Sequence, residues 1–373
     1  MIDKDVKLIK IALKYARNGN CSVQPNPMVG AVIVKNGKII GKGYHKKFGG
    51  PHAEIEALRN CKVSTAGATL YVTLEPCCHF GKTPPCTDAI IKAGIKKVVA
   101  AIKDPTKKVA GKGFKILKDA GIEVVYGICE KEAEKINAPF FKFAKTKRPW
   151  VILKWAQSKD GFLCRSDRKR WISNAASRKD VHKLRKRVQA IAVGVNTVIR
   201  DNPMLTVRPE FDRQPLRVVL DDKFQIPQDC RLLKTANKIP VCVFTCTNKT
   251  IKRKNVEAIK VRKDKEGLNL KDVLTILGKK GVQQVLVEGG EKVISSFIRQ
   301  NLADEIIVYT SNEILGKKGM VASSLIMKKT YNQMKKTFED KKLFGSNVRL
   351  RAIVHEENRN TGTGNNTRNP KRR

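Results

Sequence analysis

The sequence predicts an α/β protein built from two domains, and three observations support this expectation. The chain has 373 residues, which exceeds the usual size of a single hydrophobic core. Short strand-like apolar runs alternate with helical stretches on both sides of a basic segment that ends in Arg148-Pro149. Hydrophobic residues make up 41% of the chain and aromatic residues 6%, as is usual for globular α/β proteins. We expect domains at 1–146 and 147–356, followed by a disordered polar and basic tail at 357–373.

The first domain is predicted to begin with an amphipathic helix at 1–16 and a β-hairpin. The hairpin strands, 29–34 and 39–43, flank Asn36-Gly37, a dipeptide typical of tight hairpin turns. Further strand-like runs, with helical stretches between them, lie at 68–74, 98–102 and 124–127. This order predicts a sheet that is parallel in its later part and lies between layers of helices.

The second domain repeats the alternation of strands and helices. Its strand-like runs lie at 151–153, 190–195, 216–220, 241–245, 284–287 and 305–309. A helix is predicted over 178–188, between two of these runs. The expectation is a second α/β domain.

Three metal-ligand side chains and a carboxylate stand in an ordered pattern in the first domain. His52 and Glu54 open a predicted helix, and Cys77 and Cys86 follow a predicted strand. A catalytic zinc site takes three protein ligands and leaves a fourth position for water, whose pKa it lowers to about 7. His-x-Glu followed by Pro-Cys and a later Cys is the order found in zinc-dependent deaminases. We therefore expect one Zn²⁺ held by His52, Cys77 and Cys86, with Glu54 as the proton shuttle.

The choice among the adjacent candidates Cys77, Cys78 and His79 rests on position. Cys77 directly follows a proline, as the motif requires, so Cys78 and His79 are expected to be bystanders. Cys86 is expected to start a helix whose dipole favours a thiolate. Ordinary packing is the alternative explanation for single His and Cys side chains, and it does not account for the ordered set.

The composition indicates a second class of function that has to be weighed. A formal charge of +42, from 76 Lys and Arg against 34 Asp and Glu, favours a nucleic-acid partner. The lysines, however, are spread over nearly every predicted helix and turn and lack interleaved aromatics that stack on bases, which makes nucleic acid the less favoured partner. Ten scattered cysteines without an export signal indicate thiols or metal ligands in a reducing cytoplasm. No apolar run of about 18 residues is present to span a membrane.

At these motifs the sequence resembles a known family, the bifunctional riboflavin-biosynthesis pyrimidine deaminase/reductase of bacteria. The resemblance covers about residues 3–355, and in the first half it lies at 25–30, 52–54 and 75–86. It implies a cytidine-deaminase-like three-layer domain followed by a dihydrofolate-reductase-like domain. The implied reaction of the first half is the hydrolytic deamination of a phosphorylated small molecule, a diaminopyrimidinone that carries a phosphoribosylamino group.

The resemblance also assigns two substrate contacts to the first half. Lys82 is implied to bind the substrate phosphate, and Asn26 is implied to help hold the pyrimidine. Eight residues separate Cys77 from Cys86, whereas nucleic-acid deaminases usually place about two there. The longer gap therefore points to a nucleotide-sized pyrimidine and away from a nucleic-acid strand.

The second half resembles the family's reductase at five blocks in the same order, 154–161, 171–173, 194–198, 201–208 and 287–290. By itself, the Gly pair after a strand indicates either a tight turn or a phosphate cradle at a helix start. The resemblance implies that NADPH reduces the ring-opened ribose of the deaminated product to a ribityl chain. The implied cofactor positions are Ala156, Trp171, Thr197, Asp201, Asp222, Gly290, Glu291 and Lys292. The implied substrate positions are Lys154, Lys169, Arg185, Leu205, Arg208 and Glu288.

Two residues of the second half depart from the family pattern. Lys169 stands where a hydroxyl is usual, and it still offers a point charge to a phosphate. Asp222 places a negative charge where a phosphate-bearing cofactor would approach. Besides an altered reductase, the alternatives are a monofunctional deaminase with a non-catalytic second domain and a basic nucleic-acid-binding protein on a deaminase scaffold. The sequence leaves the oligomeric state open, a homo-oligomer included.

Overall fold

A computed structural model describes residues 2–167, 171–208 and 213–354 of the chain. The chain divides into two units, Met1–Arg148 and Pro149–Arg373. Lys169 and the predicted tail at 357–373 lie outside the described residues. Among the residues described, no helix is both long and apolar enough to cross a membrane.

Unit 1 is a five-stranded sheet with helices on both faces. Its elements are α1 (Ile2–Ala16), a 3-10 helix (Arg17–Val23), β1 (Gly30–Lys35), β2 (Lys38–Tyr44), α2 (Ala53–Arg59), β3 (Thr69–Val72), α3 (Cys86–Lys92), β4 (Lys97–Ala100), α4 (Lys112–Asp119), β5 (Glu123–Tyr126), α5 (Glu130–Ile136) and α6 (Ala138–Thr146). The strand order is β2-β1-β3-β4-β5, in which β1 pairs antiparallel with β2 and β3, whereas β3, β4 and β5 are parallel.

The alternation of side chains along β1 explains why this sheet has two cores. Ala31 and Ile33 point to one face and pack in a buried cluster with residues of α2, α3 and α4. Val32 and Val34 point to the other face, where the buried cluster includes residues of α1, α5 and α6. Successive residues of a strand face opposite sides, so a strand covered on both sides is apolar throughout.

Helix α2, which begins after His52 and carries Glu54, lies close to the hairpin. A Cβ added at Gly43 on β2 would come within 2.3 Å of the Ala57 backbone nitrogen. Glycine therefore permits a backbone approach that any other residue would block. The hairpin turn itself has positive φ at Asn36 (50°) and Gly37 (77°), as a primed turn requires.

Unit 2 is a second α/β domain, built around a mixed nine-stranded sheet. Its elements are β6 (Trp150–Gln157), β7 (Phe162–Arg165), α7 (Ala175–Lys186), β8 (Ala190–Gly194), α8 (Val195–Asp201), β9 (Leu216–Leu220), α9 (Arg231–Lys234), β10 (Val241–Thr245), β11 (Val256–Lys260), β12 (Lys263–Asp264), β13 (Gly267–Leu268), α10 (Leu270–Lys279), β14 (Gln284–Val287), α11 (Glu291–Arg299), β15 (Glu305–Thr310), β16 (Gly319–Ala322), α12 (Leu325–Thr337), β17 (Asp340–Phe344) and β18 (Asn347–Ile353). The strand order is β11-β10-β9-β8-β14-β6-β15-β18-β17.

Seven consecutive strands of this sheet, from β11 to β15, are parallel, and only β18 and β17 pair antiparallel. The carboxyl ends of β6, β8, β9 and β14 therefore meet at one edge, where ligands bind in open α/β sheets. The α/β expectation is confirmed for both units. Helix α7 begins earlier than predicted, because the Asn174 side chain caps it by accepting a hydrogen bond from the Ser177 backbone nitrogen at 2.9 Å.

Candidate active sites

Three elements of unit 1 bring the predicted metal ligands together. His52 is the N-cap residue of α2, Cys86 is the first residue of α3, and Cys77 lies in the loop between β3 and α3. The His52 Nδ1 atom is 3.4 Å from the Sγ atom of Cys77 and 3.4 Å from that of Cys86. The three ligand atoms lie within 4.8 Å of one another.

This spacing fits a zinc ion. Zn–S bonds of about 2.3 Å and Zn–N bonds of about 2.0–2.1 Å at tetrahedral angles separate N and S ligand atoms by about 3.6 Å. Both observed N–S distances are close to that value. Cys78 is not part of this group, and its Sγ atom instead faces the Lys108 carbonyl oxygen at 3.9 Å.

The two cysteines differ in acidity. Hydrogen bonding from Cys86, followed by that from His52, lowers the pKa of the Cys77 thiol to about 4 despite its burial. The hydrogen bond to Cys77 and then burial raise the pKa of Cys86. As zinc ligands both cysteines would bind as thiolates, so the expectation of a thiolate at Cys86 stays a prediction.

Glu54 lies in the first turn of α2, two residues after His52, and only 4% of it is exposed. Burial, followed by the neighbouring Cys77 thiolate, raises the pKa of the Glu54 carboxyl to about 7. A carboxyl with such a pKa can both accept and release a proton near neutral pH.

A pocket of about 290 Å³ opens above these residues, near the lower end of the roughly 300–1,000 Å³ typical of small-molecule sites. Both predicted substrate residues of unit 1 line it. The Asn26 Nδ2 atom is 3.2 Å from the Nε2 atom of His45. The Lys82 Nζ atom lies 4.3 Å from the centre of the Phe48 ring, a cation–π contact at the rim.

In unit 2, three of the predicted substrate residues form one buried charge cluster at the carboxyl edge of the sheet. Glu288 directly follows β14, Lys154 lies on the adjacent β6, and Arg185 lies on α7. Arg185 binds Glu288 through two parallel hydrogen bonds, Nε to Oε1 at 2.7 Å and Nη2 to Oε2 at 3.0 Å. The Lys154 Nζ atom is 3.8 Å from Glu288 Oε2.

The environment of this cluster lowers the pKa of both Glu288 and Lys154. Burial alone would raise the pKa of Glu288, but the charges of Arg185 and then Lys154 outweigh it and lower that pKa to about 2. Burial and the Arg185 charge lower the pKa of Lys154, whereas Glu288 opposes that shift. Arg185 also donates from Nη1 to the Thr206 carbonyl oxygen at 2.9 Å, which leaves N–H groups on both terminal nitrogens for a ligand.

Two further predicted substrate residues of unit 2, Leu205 and Arg208, lie on either side of Thr206, whose carbonyl oxygen accepts a hydrogen bond from Arg185. The Arg208 backbone nitrogen donates to the His182 ring at 3.1 Å, one turn before Arg185 on α7. Leu205 is 3% exposed and has a positive φ of 52°. Lys169 lies outside the described residues.

The predicted cofactor positions lie mostly beyond the carboxyl ends of strands. Gly290 is the N-cap residue of α11, and Glu291, its first residue, accepts a hydrogen bond from the Ser295 hydroxyl at 2.9 Å. Lys292 follows in the same turn. Thr197 and Asp201 lie on α8, where Asp201 pairs with Arg200 at 2.9 Å.

Ala156, Trp171 and Asp222 complete the cofactor set. Ala156 lies near the end of β6, and Asp222 comes two residues after β9. Trp171 is 52% exposed, and the Arg178 guanidinium lies 5.2 Å from the centre of its ring. The positions after β6, β8, β9 and β14 thus share one edge of the sheet, whereas Trp171 belongs to the segment before α7.

Comparison with known proteins gives a consistent family for both units. Residues 2–102 match the cytidine and deoxycytidylate deaminase zinc-binding region, and residues 149–344 match the RibD C-terminal domain. The riboflavin biosynthesis protein RibD of Aquifex aeolicus is 44% identical over 318 residues, which are 84% of this chain and 88% of that protein. That of Bacillus amyloliquefaciens is 40% identical over 352 residues, 92% of this chain and 94% of that protein.

The chain belongs to the RibD family. The solved structure of Acinetobacter baumannii RibD is similar to it, with a TM-score of 0.81, 37% identity and coverage of 95% of this chain and 99% of that one. A Thermotoga maritima structure, described as a diaminohydroxyphosphoribosylaminopyrimidine deaminase/5-amino-6-(5-phosphoribosylamino)uracil reductase, has a TM-score of 0.79 and 36% identity, and covers 94% of this chain and 98% of that one.

This RibD-family chain is accordingly a bifunctional enzyme of riboflavin biosynthesis, with a zinc-binding deaminase half and a reductase half. The expectation of a bifunctional riboflavin-biosynthesis deaminase/reductase is confirmed. The two alternatives, a monofunctional deaminase and a nucleic-acid-binding protein, are not favoured.

Several pocket residues of the deaminase half are missing from the sequence prediction. They are His45, Phe48, Glu75, His79, Asp104, Thr106 and Lys108. His79, which was predicted not to bind the metal, lines the pocket. Its Nδ1 atom is buried and has no hydrogen-bond partner among the residues that the structure describes. Asp104 could have been predicted from the sequence, because it follows β4 and site residues commonly lie beyond the carboxyl ends of parallel strands.

Proposed function

We propose that residues 1–146 deaminate a diaminopyrimidinone that carries a phosphoribosylamino group, and that residues 147–356 reduce the ribosyl group of the product with NADPH. The observation that carries the first half is the grouping of His52, Cys77 and Cys86 within 4.8 Å. Glu54 lines the same pocket as His52 and Cys77. The nucleotide size of the substrate agrees with the long loop between the two cysteines.

In the deaminase half, Glu54 is the residue that moves protons. His52, Cys77 and Cys86 would hold the zinc ion, which would supply an activated water for attack on the ring carbon that bears the amino group. Glu54, held at the floor of the pocket by its position in α2, passes a proton to the ring nitrogen and then to the departing ammonia. His52 and the two cysteines hold the metal and take no part in the proton transfer.

Two further residues would bind the substrate in this pocket. Lys82 would pair with the phosphate dianion from the rim, while its ammonium lies over the Phe48 ring. Asn26 offers an amide to the pyrimidine edge, and its contact with His45 fixes the orientation of that amide.

In the reductase half, the residues at the carboxyl edge fit a dinucleotide. NADPH, when bound, supplies the hydride. A Cβ added at Gly290 would meet no atom within 4 Å, so the start of α11 is open to a phosphate that approaches its backbone N–H groups. Lys154 would donate a proton to the carbonyl oxygen of the opened ribose, and the free N–H groups of Arg185 together with Arg208 would bind the substrate phosphate.

The test scores the two halves separately in one purified protein, as ammonia release and as NADPH oxidation. Glu54→Gln should keep about one zinc per chain, lose ammonia release at least 100-fold, and still oxidise NADPH when given deaminated substrate. Glu123→Gln, an exposed carboxylate on β5 that pairs with Lys97 at 2.8 Å, is the matched control and should be fully active.

Chelation of zinc from the unmodified protein should likewise stop only ammonia release. A zinc-replete and active Glu54→Gln variant would remove Glu54 from its role. Absence of NADPH binding by the full chain would refute the reductase assignment.

A further inference from the structure

The Glu75 carboxylate is buried between the metal-ligand loop and one wall of the deaminase pocket. Glu75 is 3% exposed and lies two residues before Cys77. Its Oε2 atom accepts hydrogen bonds from the backbone nitrogens of Asp104 at 3.1 Å and Gly111 at 2.9 Å. Its Oε1 atom accepts from those of Gly111 at 2.9 Å, Gly113 at 3.0 Å and Phe114 at 3.3 Å.

All of these donors belong to one stretch of chain, residues 104–114. The stretch bends around the carboxylate, with Gly111 in the left-handed region at a φ of 94°. A carboxylate accepts about four hydrogen bonds, so this segment satisfies Glu75 completely. The backbones of the two segments also approach each other closely, because a Cβ added at Gly113 would lie 2.2 Å from the Pro76 carbonyl oxygen.

The segment that Glu75 holds is a wall of the deaminase pocket. Asp104, Thr106, Lys108 and Val109 all line that pocket. The Asp104 Oδ1 atom accepts hydrogen bonds from the backbone nitrogen of Thr106 at 2.7 Å and from its hydroxyl at 2.5 Å. Glu75 thus holds the Asp104 backbone, and the Asp104 side chain in turn holds Thr106.

The backbone of Glu75 itself is held by the sheet, at the end of the strand that leads to the metal ligand Cys77. The Glu75 backbone nitrogen donates to the Ile102 carbonyl oxygen at 2.9 Å, which continues the parallel pairing of β3 with β4. Pro76 and Cys77 follow directly. The Glu75 side chain thus joins the loop that carries a zinc ligand to a wall of the pocket that Lys82 also lines.

We propose that Glu75 is a positioning residue of the deaminase site, and that it sets substrate affinity by holding residues 104–111 at a fixed distance from Cys77. The inference rests on the proposed function of this pocket. The Glu75 carboxylate binds backbone N–H groups of this segment, so its effect on the substrate passes through the backbone of the wall.

The test is Glu75→Gln in the full-length, zinc-loaded enzyme. The amide keeps one acceptor oxygen and turns an NH₂ group towards backbone N–H groups that need an acceptor. The expected result is a rise in the deaminase KM of about 10-fold or more, with kcat within about threefold and about one zinc per chain. Amide hydrogen exchange should accelerate at residues 104–114, and NADPH oxidation with deaminated substrate should not change. Glu123→Gln is again the matched control.

Glu75→Asp is the second variant, and it also serves if Glu75→Gln does not fold. It retains the charge on a shorter side chain, so the expected KM lies between those of the wild type and the Gln variant, at least about threefold above the wild type. A KM within twofold of the wild type in a folded variant overturns the proposal, and so does loss of zinc as the primary defect. Failure of the unmodified enzyme to release ammonia would instead refute the proposed function, while hydrogen exchange would still report whether Glu75 holds the wall.

Discussion

The buried charge cluster of unit 2 allows a quantitative prediction for Glu288→Gln. The side chains of Glu288, Arg185 and Lys154 are only 10%, 14% and 16% exposed. Arg185 and Lys154 hold the Glu288 pKa at about 2 instead of 4.5, and a shift of about 2.5 units corresponds to about 3 kcal/mol. Removal of the charge leaves two buried cations without an anion, which costs about 3–5 kcal/mol in comparable pairs. We expect the free energy of unfolding to fall by about 3 kcal/mol.

The assay is urea unfolding of the full chain, followed by tryptophan fluorescence. The three tryptophans, Trp150, Trp155 and Trp171, all belong to unit 2, so the signal reports on this unit alone. With a urea dependence of about 2–3 kcal/mol per molar, the midpoint should fall by about 1–1.5 M.

Glu266→Gln is the matched control. Glu266 forms the same two-bond pair with Arg299, at 2.5 and 3.0 Å, but the side chains are 31% and 43% exposed. Its loss should cost less than about 1 kcal/mol. A Glu288→Gln midpoint shift no larger than that of the control would refute the argument from burial.

The pH dependence gives a second check with a defined sign. Because the folded-state pKa of Glu288 is lowered, its contribution is complete above the unfolded value of 4.5 and is lost as the pH falls towards about 2. The stability difference between wild type and Glu288→Gln should therefore shrink by about 1 kcal/mol between pH 7 and pH 4. A difference that grows on acidification would contradict the pKa assignment.

Two further predictions concern ligand binding in the two halves. Phe48→Leu should raise the deaminase KM about two- to fivefold at unchanged zinc content, because the cation–π contact between Lys82 and Phe48 contributes about 0.5–1 kcal/mol. An unchanged KM in steady-state assays would show that this contact does not help Lys82 to bind the substrate. Asp222→Ser should tighten NADPH binding about three- to tenfold at low salt, and less at high salt, because it removes a negative charge from the proposed cofactor site. Weaker NADPH binding in a calorimetric titration would instead place Asp222 among the favourable contacts.

The parts of the fold that depend on local chemistry could be predicted from the sequence. The hairpin turn needs positive φ, and Asn36-Gly37 supplies it. The central strands β8 and β14 are buried throughout and appear as continuous apolar runs. Strand β17 (Asp340–Phe344) was missed because it is a largely exposed edge strand, stabilised by pairing with β18 and by the ion pair between Asp340 and Arg349.

The residues of the candidate deaminase site also differ in whether the sequence predicts them. The metal ligands and Glu54 belong to a short ordered motif, whereas Glu75 acts through backbone groups that lie 29–39 residues away in sequence. No side-chain pattern encodes such a contact, because any residue but proline offers a backbone N–H. The position of Glu75 becomes visible only when the parallel pairing of β3 with β4 is known.

Glu75 and Glu288 occupy equivalent places in the two sheets, each beyond the carboxyl end of a parallel strand, but their partners differ. Backbone N–H groups satisfy Glu75, whereas the charges of Arg185 and Lys154 satisfy Glu288. The backbone N–H groups that bind Glu75 are fixed dipoles, and no mobile side-chain cation is needed to balance its charge. Such an arrangement suits a rigid pocket wall beside a metal site. Paired side-chain charges can exchange partners, so an arriving substrate phosphate can compete with Glu288 for Arg185. Inorganic phosphate should therefore restore part of the stability that Glu288→Gln loses, and should have no such effect on Glu75→Gln.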